Sequence, residues 1–198
     1  MRSKLNLLEP RPAAQPPDPA GRGSAALGTV TAMPGAIRIR PIEFGDVPGF
    51  RAYIDAVARE RRYFMILEAY GLDKTAEFVA QNITAGNLQF VAVDGPTIIG
   101  GVDLHPHKFE GYRHNAGLGI GLLAPYRGLG IGTRLLQTAI DAAAQHRFRR
   151  LELVVYATNA RAIRLYERFG FVREGLYRGQ RELDGVREDV VAMVKFLE

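Results

Sequence analysis

The segment that most constrains this chain is a glycine-rich turn, PYRGLGIGTRLL from Pro125 onward, which joins an apolar run to a long amphipathic one. Pro125 cannot donate a ladder hydrogen bond, so a strand has to end or bulge there. Gly128, Gly130 and Gly132 then place residues without side chains in the turn and in the first helical turn. A strand, a bare turn and a helix in this order predict an α/β fold with accessible backbone amides at the turn.

That turn has the chemistry of a phosphate site. The first four N–H groups of a helix have no partner within the helix, and the aligned peptide dipoles place about half a positive charge there. Arg127 adds a cationic side chain and Thr133 adds a hydroxyl donor. We therefore expect a pyrophosphate to bind here. The residues that contribute this chemistry are Arg127, Gly128, Gly130, Gly132 and Thr133.

Two other phosphate-binding motifs fit this turn poorly. Gly132 is followed by Thr133 and Arg134, so the lysine of a Walker loop is missing. The glycines are spaced two residues apart, whereas a dinucleotide-binding Rossmann turn needs G-x-G-x-x-G. A tight strand-to-helix connection without any ligand remains the alternative for the glycines taken alone.

A second pattern, N-x-x-A-x-x-L-Y-x-x-x-G-F, begins at Asn159 on the next predicted helix. Helix positions seven apart differ by almost two full turns, so Asn159 and Tyr166 lie along one stripe. Each has an ordinary structural explanation, because Asn caps helices and Tyr is often half buried in a core. Their joint spacing favours a ligand-binding role instead.

With these two patterns the sequence resembles the GNAT superfamily of acetyl-CoA-dependent N-acetyltransferases. The family's phosphate signature is Gln or Arg, two residues, Gly, one residue, then Gly or Ala, which Arg127, Gly130 and Gly132 match. Its second signature matches residues 159–171, and the resemblance extends over roughly residues 37–197. It implies a three-layer αβα fold around a mostly antiparallel mixed sheet that is splayed between two parallel strands.

The periodicity of the remaining chain agrees with that order of elements. Strands are predicted at residues 37–40, 88–93, 97–104, 116–123, 151–156, 171–182 and 187–196, the last two as a hairpin around Asp184 and Gly185. Helices are predicted at residues 47–60, 74–83, 129–146 and 159–169. The run at 151–156 is almost continuously apolar, which predicts a strand buried on both faces.

The resemblance also implies how acetyl-CoA would be held. The backbone of Leu122, Leu123 and Ala124 would pair with the pantetheine arm as an added strand does. Residues 127–133, which include Leu129 and Ile131, would hold the pyrophosphate. The cofactor-binding residues implied on the second helix are Asn159, Ala162 and Tyr166. The acceptor pocket is expected from residues 57–72 and the final hairpin, where the family varies most.

Tyr166 is implied as the general acid, with its hydroxyl near the sulfur. A phenol with a pKa of about 10 is protonated at neutral pH, and the departing thiol has a pKa of about 8.5. A neutral amine would attack the thioester directly in a ternary complex. For the general base, His114 is the first candidate because histidine titrates near neutrality, and Glu68 and Glu110 are weaker ones.

Composition excludes several kinds of site. The 198 residues include no cysteine, which removes disulfides, thiolate metal sites and cysteine nucleophiles. His105, His107 and His114 resemble a metal-ligand set, but Pro106 and the missing fourth ligand argue against it. We expect no metal.

Charge and hydropathy bear on partners and location. The net charge of +5 is modest, which argues against nucleic acid as the partner. No run approaches the roughly 18 apolar residues of a membrane span, and no secretory signal is evident, so we expect a cytoplasmic protein without a membrane partner. Pairing through the last strands makes a homodimer possible.

The first 33 residues differ from the rest, with five prolines and no sustained periodicity. They predict a disordered Pro/Ala/Gly-rich leader before an N-acetyltransferase domain at residues 34–198. Translation beginning at Met33 is the alternative.

The leading functional hypothesis is transfer of an acetyl group to the primary amine of a small molecule, an amino acid or an amine. A protein N-terminal acetyltransferase of the ribosomal kind is the alternative enzyme. A non-catalytic acetyl-CoA-binding sensor is the alternative from another class.

Overall fold

The computed structural model describes residues 36–197, so the leader predicted at residues 1–33 lies outside the described part. The described strands are β1 (Arg38–Pro41), β2 (Gln89–Asp94), β3 (Thr97–Pro106), β4 (Asn115–Leu122), β5 (Arg150–Tyr156), β6 (Val172–Leu183) and β7 (Val186–Phe196). The helices are α1 (Val47–Arg59), α2 (Leu72–Thr84), α3 (Ile131–Gln145) and α4 (Ala160–Arg168). Each predicted element is present, with ends that differ by no more than two residues.

All seven strands form one sheet in the order β1-β2-β3-β4-β5-β7-β6. Every neighbouring pair is antiparallel except β4 and β5, which are parallel. The predicted mixed sheet is therefore confirmed. Across residues 36–197, no helix combines the length and apolarity that crossing a bilayer requires.

The helices pack on opposite faces of the sheet and give it two hydrophobic cores. On one face, α3 and α4 bury Leu135, Leu136 and Tyr166 against β3, β4, β5 and β7. On the other, α1 and α2 bury Phe50 and Val79 against β2 and the start of β3. Each fully buried aliphatic or aromatic side chain stabilises the fold by about 1.5–3 kcal/mol. The predicted three-layer αβα arrangement is confirmed.

The two parallel strands separate after a short contact. Residues 115–117 of β4 pair with residues 150–152 of β5, and the pairing then stops. Beyond that point β4 stays bonded to β3 as far as Leu122, while β5 stays bonded to β7 as far as Tyr156. Because each strand follows its other neighbour, a V-shaped gap opens at their carboxyl ends.

The gap corrects one expectation about β5. Its continuous apolar sequence predicted burial on both faces, yet the side chain of Val154 is 50% exposed. Leu153 and Val155 pack under α3 and α4 as predicted. Val154 points to the α1/α2 face, where no helix covers the strand next to the gap.

Candidate functional site

A cavity of about 1050 Å³ passes through the gap between β4 and β5. A drug-sized ligand usually occupies a pocket of about 300–1,000 Å³. The cavity is lined by the glycine turn and α4 at one end and by Val57, Tyr63, Phe64 and Met65 at the other. Residues 118–122 of β4 lie between the two ends. One continuous space therefore connects both faces of the sheet.

The glycine turn presents unpaired backbone donors to this cavity. Gly128 and Gly130 have φ of +91° and +79°, a conformation that L side chains rarely adopt. The first helical bond of α3 runs from the Arg134 N–H to the Gly130 carbonyl at 3.1 Å. Within residues 36–197, no amide from Gly128 to Thr133 donates to another residue. Consecutive free N–H groups at a helix N-terminus fit a diphosphate.

Arg127 does not have the role expected of it. Its guanidinium donates to both carboxylate oxygens of Glu60, at 2.5 and 2.6 Å, and to the Leu122 carbonyl at 2.7 and 2.9 Å. It also lies 4.5 Å from the ring centre of Tyr63. The hydrogen bonds to Glu60 raise the pKa of Arg127, and its own N–H donates to Ala124. Arg127 therefore connects the end of α1 to β4 instead of offering a free charge or amide.

The free edge of β4 is also shifted from the expected residues. The Leu123 N–H donates to the Ile99 carbonyl at 2.9 Å, and the Leu123 carbonyl accepts from Tyr126 at 3.0 Å. The Ala124 carbonyl accepts from Arg127, and its N–H donates to no residue within 36–197. Backbone groups that bond to β3 alternate with groups that face away. The outward-facing groups beyond the paired segment are the Leu118 carbonyl, the N–H and carbonyl of Ile120, and the Leu122 N–H.

A cationic surface on α4 was not expected from the sequence. Arg161, Arg164 and Arg168 line the cavity, and none of them forms an ion pair with another described residue. A Cβ built on Gly128 would lie 3.0 Å from the Arg161 guanidinium, which places that charge beside the glycine turn. The spacing of these arginines is visible in the sequence, but only the fold shows which turn they face.

Asn159 and Ala162 lie on the cavity wall at the start of α4. The Asn159 Oδ1 accepts a hydrogen bond from the Ala162 N–H at 3.2 Å, so Asn159 is a helix cap. Its side-chain amide donates to no described residue and stays available to a ligand. The capping and the binding interpretations are therefore compatible.

Tyr166 reaches the cavity from the core beneath α4. The residue is 7% exposed and its ring centre lies 5.8 Å from that of Phe171. Its hydroxyl bonds to no other residue in the described range, and burial raises the pKa of Tyr166 well above the usual value. The phenol is protonated across the neutral range and can donate into the cavity.

The structure does not bring the three candidate bases to this cavity. His114 is exposed and directly precedes β4, where its carbonyl accepts from Arg149 and Arg150 beside the closed end of the gap. Glu68 lies 3.5 Å from Arg59, and Glu110 lies in a short 3₁₀ turn before β4. None of the three lines the cavity. His114 lies at the start of β4 and the glycine turn follows the end of that strand, eight residues later. The sequence does not show at which end of β4 the gap opens, so it could not place His114 relative to the cavity.

The structure also shows the partners of the histidines that were considered as metal ligands. His105 contacts Asp103, and His107 lies 2.7 Å from Glu152, so each histidine has its own carboxylate partner. In the part of the chain that the structure describes, no three His, Cys, Asp or Glu residues converge as a metal-ligand group.

Comparison with known proteins agrees with this geometry. The acetyltransferase (GNAT) family matches residues 56–171. YwnH of Bacillus subtilis (strain 168), a protein named for phosphinothricin acetyltransferase, is 34% identical over 79 residues, which cover 40% of this chain and 48% of YwnH. The chain thus spans about half the length of that relative.

Two solved structures share the fold over most of their length. A ribosomal-protein-alanine N-acetyltransferase from Brucella melitensis has a TM-score of 0.76 at 25% identity, covering 81% of this chain and 99% of that one. A GNAT superfamily phosphinothricin acetyltransferase from Sinorhizobium meliloti, in complex with AcCoA, has a TM-score of 0.77 at 20% identity, covering 81% and 88%.

Proposed function

From the premise that the chain belongs to the acetyltransferase (GNAT) family, we propose that it acetylates the primary amine of a small molecule, an amino acid or an amine. The acetyl donor is acetyl-CoA, and the amine attacks it directly in a ternary complex. The likeness to YwnH supports a small acceptor, since phosphinothricin is itself a small primary amine. Residues 34–198 form the catalytic domain in this proposal.

The observation that carries the proposal is the cavity through the sheet. One end has free amides from Gly128 to Thr133, and the other lies under the loop that follows α1. Two ligands can therefore enter from opposite faces and meet at the gap between β4 and β5. Direct transfer needs this meeting of the two reactants.

The residues of the chain fit acetyl-CoA as follows. Free amides of the glycine turn would bind the diphosphate, with charge from Arg161 and Arg164 on α4. The outward groups of Leu118 and Ile120 would pair with the pantetheine arm, as a peptide pairs with a sheet edge. When bound, acetyl-CoA supplies an activated thioester.

Tyr166 would supply a proton on the same side of the gap. Its hydroxyl has no competing partner among the described residues, and the apolar contact with Phe171 holds the ring. Because burial raises the pKa of Tyr166, the phenol holds its proton across the neutral range. The proposed role is to protonate the departing thiolate.

The acceptor end favours a small molecule over a peptide. Both carboxylate oxygens of Asp184, in the β6–β7 turn, accept from Arg61 at 2.8 and 2.9 Å. Arg181 of β6 donates to the Arg61 carbonyl, and the Tyr156 hydroxyl donates to the Phe64 carbonyl at 3.2 Å. These bonds tie the loop after α1 to the final hairpin and to the end of β5. A peptide lying across this end would have to break them.

The ribosomal-protein type of acetyltransferase stays as the second candidate because of the Brucella structure at 25% identity. The test is thiol release from acetyl-CoA against phosphinothricin, single amino acids, polyamines, aminoglycosides and N-terminal peptides. We expect turnover with small amines only. Turnover confined to peptides would favour the second candidate, and acetyl-CoA binding without any turnover would favour a sensor.

A further inference from the structure

The face of the sheet beneath α1 and α2 is bare along β4. Gly117, Gly119 and Gly121 alternate on this face, so the strand has no side chains there from residue 117 to residue 121. A Cβ on Gly119 would lie 2.9 Å from the Asp103 Oδ1. A Cβ on Gly121 would lie 2.5 Å from the Tyr53 hydroxyl. The carboxylate of Asp103 therefore lies directly over the backbone of Gly119, a residue that lines the cavity.

Asp103 forms a close pair with His105 on the same strand. The carboxylate Oδ2 contacts the His105 Nε2, which leaves Oδ1 directed at Gly119. The side chains are 24% and 46% exposed, so His105 reaches solvent while Asp103 is mostly covered. The hydrogen bond to Asp103 raises the pKa of His105 above its usual 6.5, against the opposing effect of burial.

We propose that Asp103 and His105 act together as the general base that deprotonates the acceptor amine. This inference rests on the proposed function and deepens it. An N–H bond of the ammonium breaks and leaves its electron pair on nitrogen, and the proton ends on the imidazole of His105. Asp103 stays anionic and stabilises the imidazolium, whose exposed edge then returns the proton to solvent.

The groups that pack around the pair do not compete with His105 for a proton in the neutral range. From α2, the ring of Phe78 lies 5.8 Å from that of His105. From α1, the buried phenol of Tyr53 faces Asp103, and burial and the nearby carboxylate raise the pKa of Tyr53. From β2, Gln89 is opposite Asp103 and its buried side-chain NH₂ has no partner among described residues. Among residues 36–197, Asp103 has an ion pair with His105 alone.

A second histidine–carboxylate pair supplies a matched control. Glu152 of β5 lies 2.7 Å from the His107 Nε2 and also contacts Arg150 at 3.4 Å. Asp103 and His105 are opposite Gly119 and Gly117, and Asp103 adjoins the cavity wall at Gly119. Glu152 is level with Gly117, where β4 and β5 are still paired, and the His107 N–H donates to the Asn115 carbonyl. The chemistry is the same, but each member of this control pair lies two residues closer to the closed end of the gap.

The first experiment is an NMR pH titration of the four histidines, assigned with the H105Q variant. We expect the pKa of His105 to lie above 6.5 and to fall in D103N, while E152Q leaves it unchanged. This measurement needs no acetyl-CoA. An unshifted His105 in D103N would overturn the pairing on which the inference depends.

The second experiment compares pH–rate profiles for an amine that the wild-type protein acetylates. Wild-type kcat/KM should rise with pH through the pKa of His105, because only the neutral imidazole accepts a proton. H105Q and D103N should lose this acidic limb and about 10²-fold in kcat, with acetyl-CoA affinity by calorimetry and the melting temperature retained. E152Q and H107Q should behave as wild type.

The outcomes separate this inference from the proposed function. If the wild-type protein acetylates an amine and H105Q keeps the wild-type pH–rate profile, the assignment of Asp103 and His105 as the base is overturned and the proposed function stands. Loss of the limb in E152Q or H107Q instead assigns the base to the other pair and also overturns it. Failure of the wild-type protein to acetylate any amine overturns the proposed function, and this inference with it.

Discussion

The two ends of the cavity are built from different groups. At the proposed cofactor end, which comprises residues 118–133 and 159–168, the groups available to a ligand are mainly backbone amides and a strand edge. At the proposed acceptor end, which comprises residues 57–65 and Val154 and is bonded to the final hairpin, the geometry depends on ion pairs such as Glu60–Arg127 and Arg61–Asp184. Backbone contacts tolerate many side chains, whereas side-chain pairs change with single substitutions. The first arrangement suits a ligand common to a family, and the second suits acceptors that differ.

The largest expected effect concerns the cofactor end. Gly130→Val should abolish measurable acetyl-CoA binding. A Cβ at Gly130 meets no protein atom within 4 Å and so projects from the turn, where it would obstruct the free amides. The positive φ adds roughly 1–2 kcal/mol of backbone strain. Calorimetry with acetyl-CoA measures the loss.

Gly86 offers the matched control for that strain. Its φ is +66°, its Cβ would also meet no atom within 4 Å, and it lies after α2 away from the cavity. Gly86→Val should lower the melting temperature about as much as Gly130→Val and keep normal acetyl-CoA affinity. Equal loss of binding in both variants would mean that the effect comes from folding, and the backbone account of the cofactor end would be wrong.

Tyr166→Phe should have the next largest effect, on kcat and not on acetyl-CoA affinity. We expect kcat to fall by about 10²-fold, within the range for general acid catalysis. Because burial raises the pKa of Tyr166, this group should cause no alkaline decline in rate below pH ~10. Steady-state kinetics and calorimetry check both points, with exposed Tyr177→Phe as control. Unchanged turnover would remove Tyr166 from the mechanism.

Breaking the Glu60–Arg127 pair tests whether it belongs to the acceptor end. The side chains are 28% and 21% exposed, so Glu60→Gln should cost about 1–3 kcal/mol of unfolding free energy. Glu60→Gln and Arg127→Gln should each raise the acceptor KM about tenfold and change the acetyl-CoA Kd by less than about threefold. A larger change in Kd than in KM would show instead that Arg127 serves the cofactor end.

The smallest effect is expected from the arginines of α4. Arg161→Gln and Arg164→Gln should each weaken acetyl-CoA binding about fivefold, because one charge-assisted bond among several is lost. Salt should diminish the difference, since partly exposed charges are screened. Arg149→Gln is the control, an exposed arginine outside the cavity. Calorimetry at two salt concentrations measures the affinity for acetyl-CoA. An equal loss of affinity in Arg149→Gln would contradict the assignment.

Most of the fold was predictable from local pattern. Gly170 at the end of α4 and Asp184–Gly185 in the last turn all adopt positive φ, as their residue types predict. Alternating and helical periods placed every strand and helix within two residues. The exposure of Val154 was not predictable, because it depends on two strands parting and not on the sequence of β5.

The candidate site was predictable only in part. The bare turn and the stripe of Asn159 and Tyr166 follow from spacing along one helix, and both line the cavity. Arg127, Leu123 and His114 were each placed by motif or by sequence proximity. Their actual partners, Glu60, Ile99 and the backbone of residues 149–150, come from other parts of the chain.

The amino-acid sequence was sufficient to predict the helices and strands, the glycine turn and the family, since these depend on patterns among residues close in sequence. Only the assembled sheet decided which backbone groups stay unpaired, which charges are neutralised and which carboxylate lies over β4. Those properties arise where residues distant in sequence meet, as Asp103 meets Gly119 across two strands. Local periodicity carries no information on such meetings, because many registers satisfy the same pattern.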